Sequence, residues 1–217
     1  MQEHHLQVKR TARYYTVGSL NEHTRQVWFV LHGYGQLAQY FIKKFMALPQ
    51  ESIFVVAPEG LSRFYLDGVS GRVGASWITR ENKENEVSDY LAYLNDLYDN
   101  ILNNKDLGNI EVVVFGFSQG TATALRWLND GHIGCHHLVL WAGYFANGIT
   151  DLITPEKLAA VPVSVVYGTQ DEYLVQIDLK KFEADIRTNA PHATITTFEG
   201  KHTIDTDTLL QMPIIGH

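Results

Sequence analysis

Short unbroken apolar runs recur along the chain at Gln26–Leu31, Ser52–Val56, Glu111–Phe115, His137–Trp141 and Val163–Tyr167. Runs without alternation predict strands covered on both faces, the habit of a parallel sheet. Tyr14–Val17 and Ala193–Phe198 read as further strands. The turn-like SLNEHT between Tyr14–Val17 and Gln26–Leu31 predicts that these two pair with each other. A second periodicity alternates with the first. In ENEVSDYLAYLNDLYDNILNN the positions Val87, Tyr90, Leu91, Leu94, Leu97, Tyr98, Ile101 and Leu102 follow i, i+3, i+4, i+7 spacing and form one apolar stripe. Gln119–Asn129 and Leu174–Thr188 predict two more helices, and Leu61–Lys83 is the least regular stretch. Strand and helix alternating without a break predict an α/β fold with a mostly parallel central sheet and helices on both faces. In such folds ligands collect beyond the carboxyl ends of the strands. No repeat, low-complexity tract or Pro/Gly-rich linker divides the sequence, so one domain over residues 1–217 is expected.

Composition narrows the picture by exclusion. A chain of 217 residues buries enough surface to fold without a metal or disulfide staple. Its 17 basic side chains face 24 acidic ones and never cluster beyond a pair, so the footprint of a nucleic-acid partner is missing. Cys135 is the only cysteine and reads as a small buried hydrophobe. The start, MQEHHLQVKR, lacks an apolar stretch of signal-peptide length, and no segment approaches the ~20 apolar residues of a membrane span. A cytoplasmic location without a membrane segment is expected, with oligomeric state open between monomer and homodimer. None of the ten histidines has the HExxH spacing of a metal site, so no metal is expected.

Candidate chemistry centres on Gly116-Phe117-Ser118-Gln119-Gly120. A GxSxG pentapeptide alone is a modest signal. Here it follows an apolar strand directly and enters a small-residue helix, the strand–turn–helix setting of a nucleophile elbow. The glycines would let strand and helix pass closely while Ser118 takes a strained conformation. A plain Gly-Ser turn between strand and helix is the alternative. A serine nucleophile needs a base, and the base needs an orienting acid. His202 follows the strand-like Ala193–Phe198 and would stand at a strand's carboxyl end. His132, His136, His137 and His192 precede or begin strands, His4, His5 and His23 lie near the N-terminus, and His217 is the last residue. Asp171 ends the Gly168-Thr169-Gln170-Asp171 loop after Val163–Tyr167. It could instead cap the following helix; Asp151 is the runner-up acid, and Glu199, close to His202 in sequence, reads as a solvated loop charge. Of the two amides an oxyanion hole requires, Gln119 would supply one, and the glycine-bearing loop Leu31–Leu37 the other. His32 reads as a buttress of that loop rather than a second base. Tyr65 and Trp77 would either wall a pocket or only pin their loop to the domain.

With these pieces in place, the chain resembles the phospholipase/carboxylesterase family of small α/β-hydrolases, which includes the acyl-protein thioesterases. The likeness runs over almost the whole chain through LHGYG, APEG, GFSQG, the G-x-x-D at 168–171 and the GKH at 200–202. The resemblance implies an α/β-hydrolase fold without a large lid domain. It implies hydrolysis of carboxylic esters, thioesters or lysophospholipids with no cofactor and a small-molecule ester as partner. Ser118, Asp171 and His202 would form the triad, and Leu37 and Gln119 the oxyanion hole. Tyr34 and Gln36 stand where the family often has a leucine and an acidic residue, so Tyr34 would shape the substrate pocket. Glu199 stands where a small residue is common. A peptidase or amidase on the same fold, or a hydrolase relic that holds a hydrophobic ligand, are the competing readings.

Overall fold

The computed structural model describes residues 1–102 and 110–215. Asn103 and Asn104, the last residues of the longest predicted helix, and His217 lie outside the described residues. The strands are β1 (Tyr14–Val17), β2 (Gln26–Leu31), β3 (Ile53–Pro58), β4 (Ser62–Tyr65), β5 (Val73–Ser76), β6 (Glu111–Phe117), β7 (His137–Trp141), β8 (Val163–Gly168) and β9 (Thr194–Phe198). Seven of them make one sheet in the order β1-β3-β2-β6-β7-β8-β9, parallel except for β1 at its edge. The expected pairing of β1 with β2 is not found, because β3 lies between them. β1 runs antiparallel to β3, and β2 is parallel to both β3 and β6. The physical reason lies in burial. Every residue of β2 is buried, so it needs a strand on each side, whereas half-exposed β1 suits an edge. The stretch expected to be irregular also corrects, since β4 and β5 form a separate antiparallel hairpin within it.

Helices α1 (Ala38–Phe41), α2 (Lys83–Leu102), α3 (Gln119–Asp130), α4 (Pro155–Ala159), α5 (Leu179–Asn189) and α6 (Thr206–Leu210) complete the elements, with short 3-10 turns at Ile42–Phe45, Ile149–Asp151 and Pro213–Ile215. α5 begins later than the pattern predicts. Leu174 is instead tied into a turn by bonds from its amide to Asp171, and Asp178 caps the helix by accepting from the Lys181 amide at 3.0 Å.

The alternation of side chains along each strand divides the core into two. Val27, Phe29 and Leu31 of β2 pack with Val112 and Val114 of β6 beneath α2, α3 and α5, where Leu94, Trp127 and Phe182 close the layer. Trp28 and Val30 face the other way, with Val113, Phe115 and Phe117, under Phe41, Phe45, Leu209 and Ile214. Trp28, Trp77, Trp127 and Trp141 are all fully buried. Cys135 is partly buried against the first layer, and burial pushes its thiol up to about 12, which leaves it protonated and inert. No described helix is long and apolar enough to cross a membrane. This architecture brings the loops after β2, β3, β6, β8 and β9 to one edge of the sheet.

Candidate active site

The turn between β6 and α3 holds Ser118 at φ +52°, ψ −118°, a region that non-glycine residues occupy at a cost of roughly 1–3 kcal/mol. Neighbouring bonds sustain it. The Ser118 amide donates to the Trp141 carbonyl at 2.8 Å, and the Ser118 carbonyl accepts from the Thr121 amide and from Thr121 Oγ1 at 2.6 Å. The glycines are required by contact. A Cβ on Gly116 would lie 2.5 Å from the Gly120 oxygen, and one on Gly120 would run into the Leu31 carbonyl at the end of β2. Ser118 occupies the N-cap of α3, yet its hydroxyl makes no capping bond. A serine at an N-cap usually turns its oxygen onto the helix amides; here the side chain is left for another use.

At the far side of the sheet, the ends of β8 and β9 meet just as tightly. A Cβ on Gly168 would strike the Gly200 carbonyl and stand 2.7 Å from that of Lys201. The ladder runs on into the loops through Thr169 N–H to Phe198 O (2.9 Å) and Gln170 N–H to Gly200 O (2.8 Å). This approach sets Asp171 beside His202. Asp171 is fully buried; its Oδ1 accepts from the amides of Tyr173 (2.9 Å) and Leu174 (3.3 Å), and its Oδ2 stands 2.6 Å from His202 Nδ1. The acid therefore both closes its own turn and meets the histidine, while the helix cap that was its alternative reading falls to Asp178. The imidazole is held between the ring of Phe117, 4.9 Å away, and the ring of Tyr173, edge-on at 4.7 Å. Trp141 Nε1 donates to the Thr203 carbonyl at 2.8 Å and fixes the next residue. With Nδ1 committed to Asp171, Nε2 is the nitrogen left over. Ser118 directly follows Phe117, but its Oγ is not hydrogen-bonded to His202 among the described residues. Such contacts are commonly long before substrate binds.

The loop after β2 is held from below by His32. This side chain is fully buried, its Nδ1 lies 2.8 Å from the Gly33 carbonyl and its Nε2 accepts from the Gly60 amide at 2.9 Å. Both nitrogens are occupied in one neutral tautomer. Burial lowers its pKa to about 4, against the opposite pull of the Gly33 carbonyl and the Glu59 charge. His32 is thus a buttress. Leu37, buried at the N-cap of α1, and Gln119, the first residue of α3, have amides with no protein acceptor among the described residues. Both lie just past strand ends, at the sheet's carboxyl edge.

Two contributions were missed by sequence reasoning. The Gln119 side chain accepts from the Trp77 amide (3.0 Å) and donates to the Ile78 carbonyl (3.0 Å), clamping the end of β5 to the serine turn. Glu59, with a fully buried side chain, accepts from Arg13 and Arg63 at 2.7 Å each and from the Ala38 amide at 3.2 Å. Burial pushes its carboxyl up, and the bonds from the two arginines outweigh this and hold it below the ordinary range. The APEG motif was the available signal for Glu59, but nothing local announced its partners.

A cleft of about 670 Å³ opens beside His202, within the usual range for small-molecule sites. Leu37, Phe41, Phe117 and Ile204 form its apolar lining, with Leu66 and Arg72 of the β4–β5 connection on another wall. The pocket residues expected from sequence lie elsewhere. Trp77 is a core residue; its indole donates to the His32 carbonyl at 2.8 Å and lies 5.0 Å from the His32 ring. It pins its loop to the domain and does not line this cleft. Tyr65 is exposed at the end of β4, and exposed Tyr34 stacks on Phe64 at 5.0 Å; neither lines the cleft.

Residues 13–213 match the phospholipase/carboxylesterase family model, so the chain belongs to that family of α/β-hydrolases, whose activity is of the esterase or thioesterase type. Acyl-protein thioesterase 2 of Zea mays superposes with a TM-score of 0.67 at 17% identity, over 92% of this chain and 95% of that one. A carboxylesterase of Mesorhizobium loti gives 0.69 at 15% identity, over 95% of each chain. A phospholipase/carboxylesterase of Dyadobacter fermentans gives 0.61 at 18%, over 96% and 98%. At these identities the likeness is one of fold. No curated protein matches the chain.

Proposed function

We propose that the protein is a serine hydrolase of carboxylic esters, with Ser118 as nucleophile, His202 as general base and acid, and Asp171 as the group that orients it. The observation that carries this reading is the Asp171–His202 pair. A fully buried carboxylate, anchored by two amides, meets Nδ1 at 2.6 Å and leaves Nε2 free beside the cleft. A carboxylate so placed selects the Nδ1–H tautomer and steadies the positive charge that the ring acquires.

The reaction runs in two halves. His202 Nε2 takes the Ser118 proton as Oγ attacks the ester carbonyl, and the oxyanion rests on the amides of Leu37 and Gln119. The collapse of that intermediate expels the alcohol or thiol, protonated by His202, and leaves an acyl-Ser118. Water activated by the same histidine then releases the acid. The strained turn contributes by holding Oγ clear of the helix amides that would otherwise absorb it.

The test pairs a fluorophosphonate probe with p-nitrophenyl esters from acetate to palmitate. Labelling of Ser118 is expected, and Ser118→Ala should lower kcat by about 10⁴- to 10⁶-fold with the fold intact. A loss below tenfold would exclude Ser118 as nucleophile. Labelling without ester turnover would move the reading to a peptidase or amidase, and neither labelling nor turnover to a ligand-binding relic.

A further inference from the structure

The cleft beside His202 carries a charge pattern opposite to that of the chain. Acidic side chains outnumber basic ones by 24 to 17 overall. Among the described residues, however, the formally charged side chains lining the cleft are those of Lys44 and Arg72, and no carboxylate lines it. Lys44 lies within the 3-10 turn that follows α1, is exposed, and makes no ion pair among the described residues. Lys43 stands next to it, its ammonium 5.4 Å from the centre of the Tyr40 ring. Arg72 comes from the β4–β5 connection. Among the described residues its one ion pair is with Asp67, at 3.3 Å, and both side chains are largely exposed, so water screens that pair and it holds Arg72 weakly.

Beside these exposed cations the cleft has a buried apolar lining of Leu37, Phe41, Phe117 and Ile204. An apolar floor under a cationic rim matches a molecule with an apolar middle and an anionic end. A neutral ester would leave both cations solvated and gain nothing from them. An anion would be attracted as it approached and would then receive charge-assisted hydrogen bonds.

Resting on the reading of Ser118, Asp171 and His202 as an esterase site, we propose that the substrate is an ester bearing an anionic group, carboxylate or phosphate, at the end remote from the scissile bond, and that Lys44 and Arg72 select it. The rim predicts preference by charge and not by acyl length alone.

Matched pairs of esters test this. One pair is the p-nitrophenyl monoester of suberic acid and its methyl-capped neutral counterpart. The other carries the charge on the leaving group instead, as butyryl 4-hydroxybenzoate and its methyl ester. In at least one pair, kcat/KM should favour the anionic member by about tenfold or more at low salt. The preference should shrink at 1 M salt, where the screening length is about 3 Å. In a Lys44→Gln, Arg72→Gln double variant the ratio within the pair should fall towards one. The ratio is the readout because loss of folding lowers both members together. Equal rates within both pairs, or a ratio untouched by the double variant, would overturn the anion preference while leaving ester hydrolysis intact. If neither member of either pair is hydrolysed, the esterase reading fails instead. Calorimetric titration with suberate and its diamide then decides the rim alone: tighter suberate binding that the double variant abolishes supports it, and equal binding overturns it.

Discussion

Two histidines and two buried carboxylates stand at the carboxyl edge of the sheet, one pair on each side of Ser118. His32 and Glu59 follow the neighbouring strands β2 and β3; Asp171 and His202 follow the neighbouring strands β8 and β9. Their raw materials are alike and their states are opposite. Every polar atom of the His32 ring is bonded to backbone, and Glu59 is enclosed by two arginines and an amide. On the other side Asp171 is equally saturated, but His202 has spent one nitrogen only, and its side chain is 15% exposed toward the cleft. A buried histidine with both nitrogens used is a strut. A histidine with one nitrogen anchored and one left over can move a proton. The difference lies in which partners the fold supplies, not in the residue type.

The contrast can be broken most forcefully at Asp171. Asp171→Asn keeps the shape but removes the charge and inverts the preferred tautomer, so kcat should fall by about 10³- to 10⁴-fold. Circular dichroism and the thermal midpoint separate this from unfolding. A loss under tenfold in a folded variant would mean that another acid orients His202.

His32 should reveal itself in stability against pH. Its folded pKa, about 4, lies below the ordinary value of 6.5. The unfolded chain therefore binds the proton more readily, and stability is fully present above about pH 6.5 and is lost as pH falls toward 4. The contribution amounts to at most ~3 kcal/mol, since each unit of displacement is about 1.4 kcal/mol. Urea titrations between pH 7 and 4 should show this loss in the natural chain and a shallower one in His32→Gln. Parallel curves for the two proteins would remove His32 as its source.

Glu59 sharpens the comparison at the smaller end. Removing one partner of a fully buried ion pair costs about 3–5 kcal/mol. Arg13 and Arg63 remain partly exposed, at 41% and 39% of their side chains, so Glu59→Gln should cost nearer ~2 kcal/mol, because water can take them back. Chemical denaturation at pH 7 measures it. A variant as stable as the natural chain would mean that Glu59 does not brace this side.

Much of this layout was legible because it rests on local rules. The unbroken apolar runs suit strands buried on both faces, and β2, β6, β7 and β8 lie where those runs lie. GFSQG announced a sharp turn because glycine alone tolerates the approach of Gly116 to Gly120 and of Gly120 to Leu31. His32 as a buttress also followed from its place in the glycine-bearing loop after β2.

Other features depended on contacts between distant residues. That β3 slips between β1 and β2 is a matter of which strand can satisfy a fully buried neighbour, and the turn-like SLNEHT carried no trace of it. Trp77 reads equally as a pocket wall or as an anchor of its loop, and its burial in the core, with a bond to the His32 carbonyl forty-five positions away, decides for the anchor. Lys44 and Arg72 line one cleft from separate segments. Sequence by itself determined the buried strands, the longest helix and the serine turn, since backbone sterics and side-chain periodicity act within a few residues. Which nitrogen stays free, which tryptophan is core and which charges face the cleft were decided only by the tertiary structure, because burial and hydrogen-bond saturation are properties of neighbours in space.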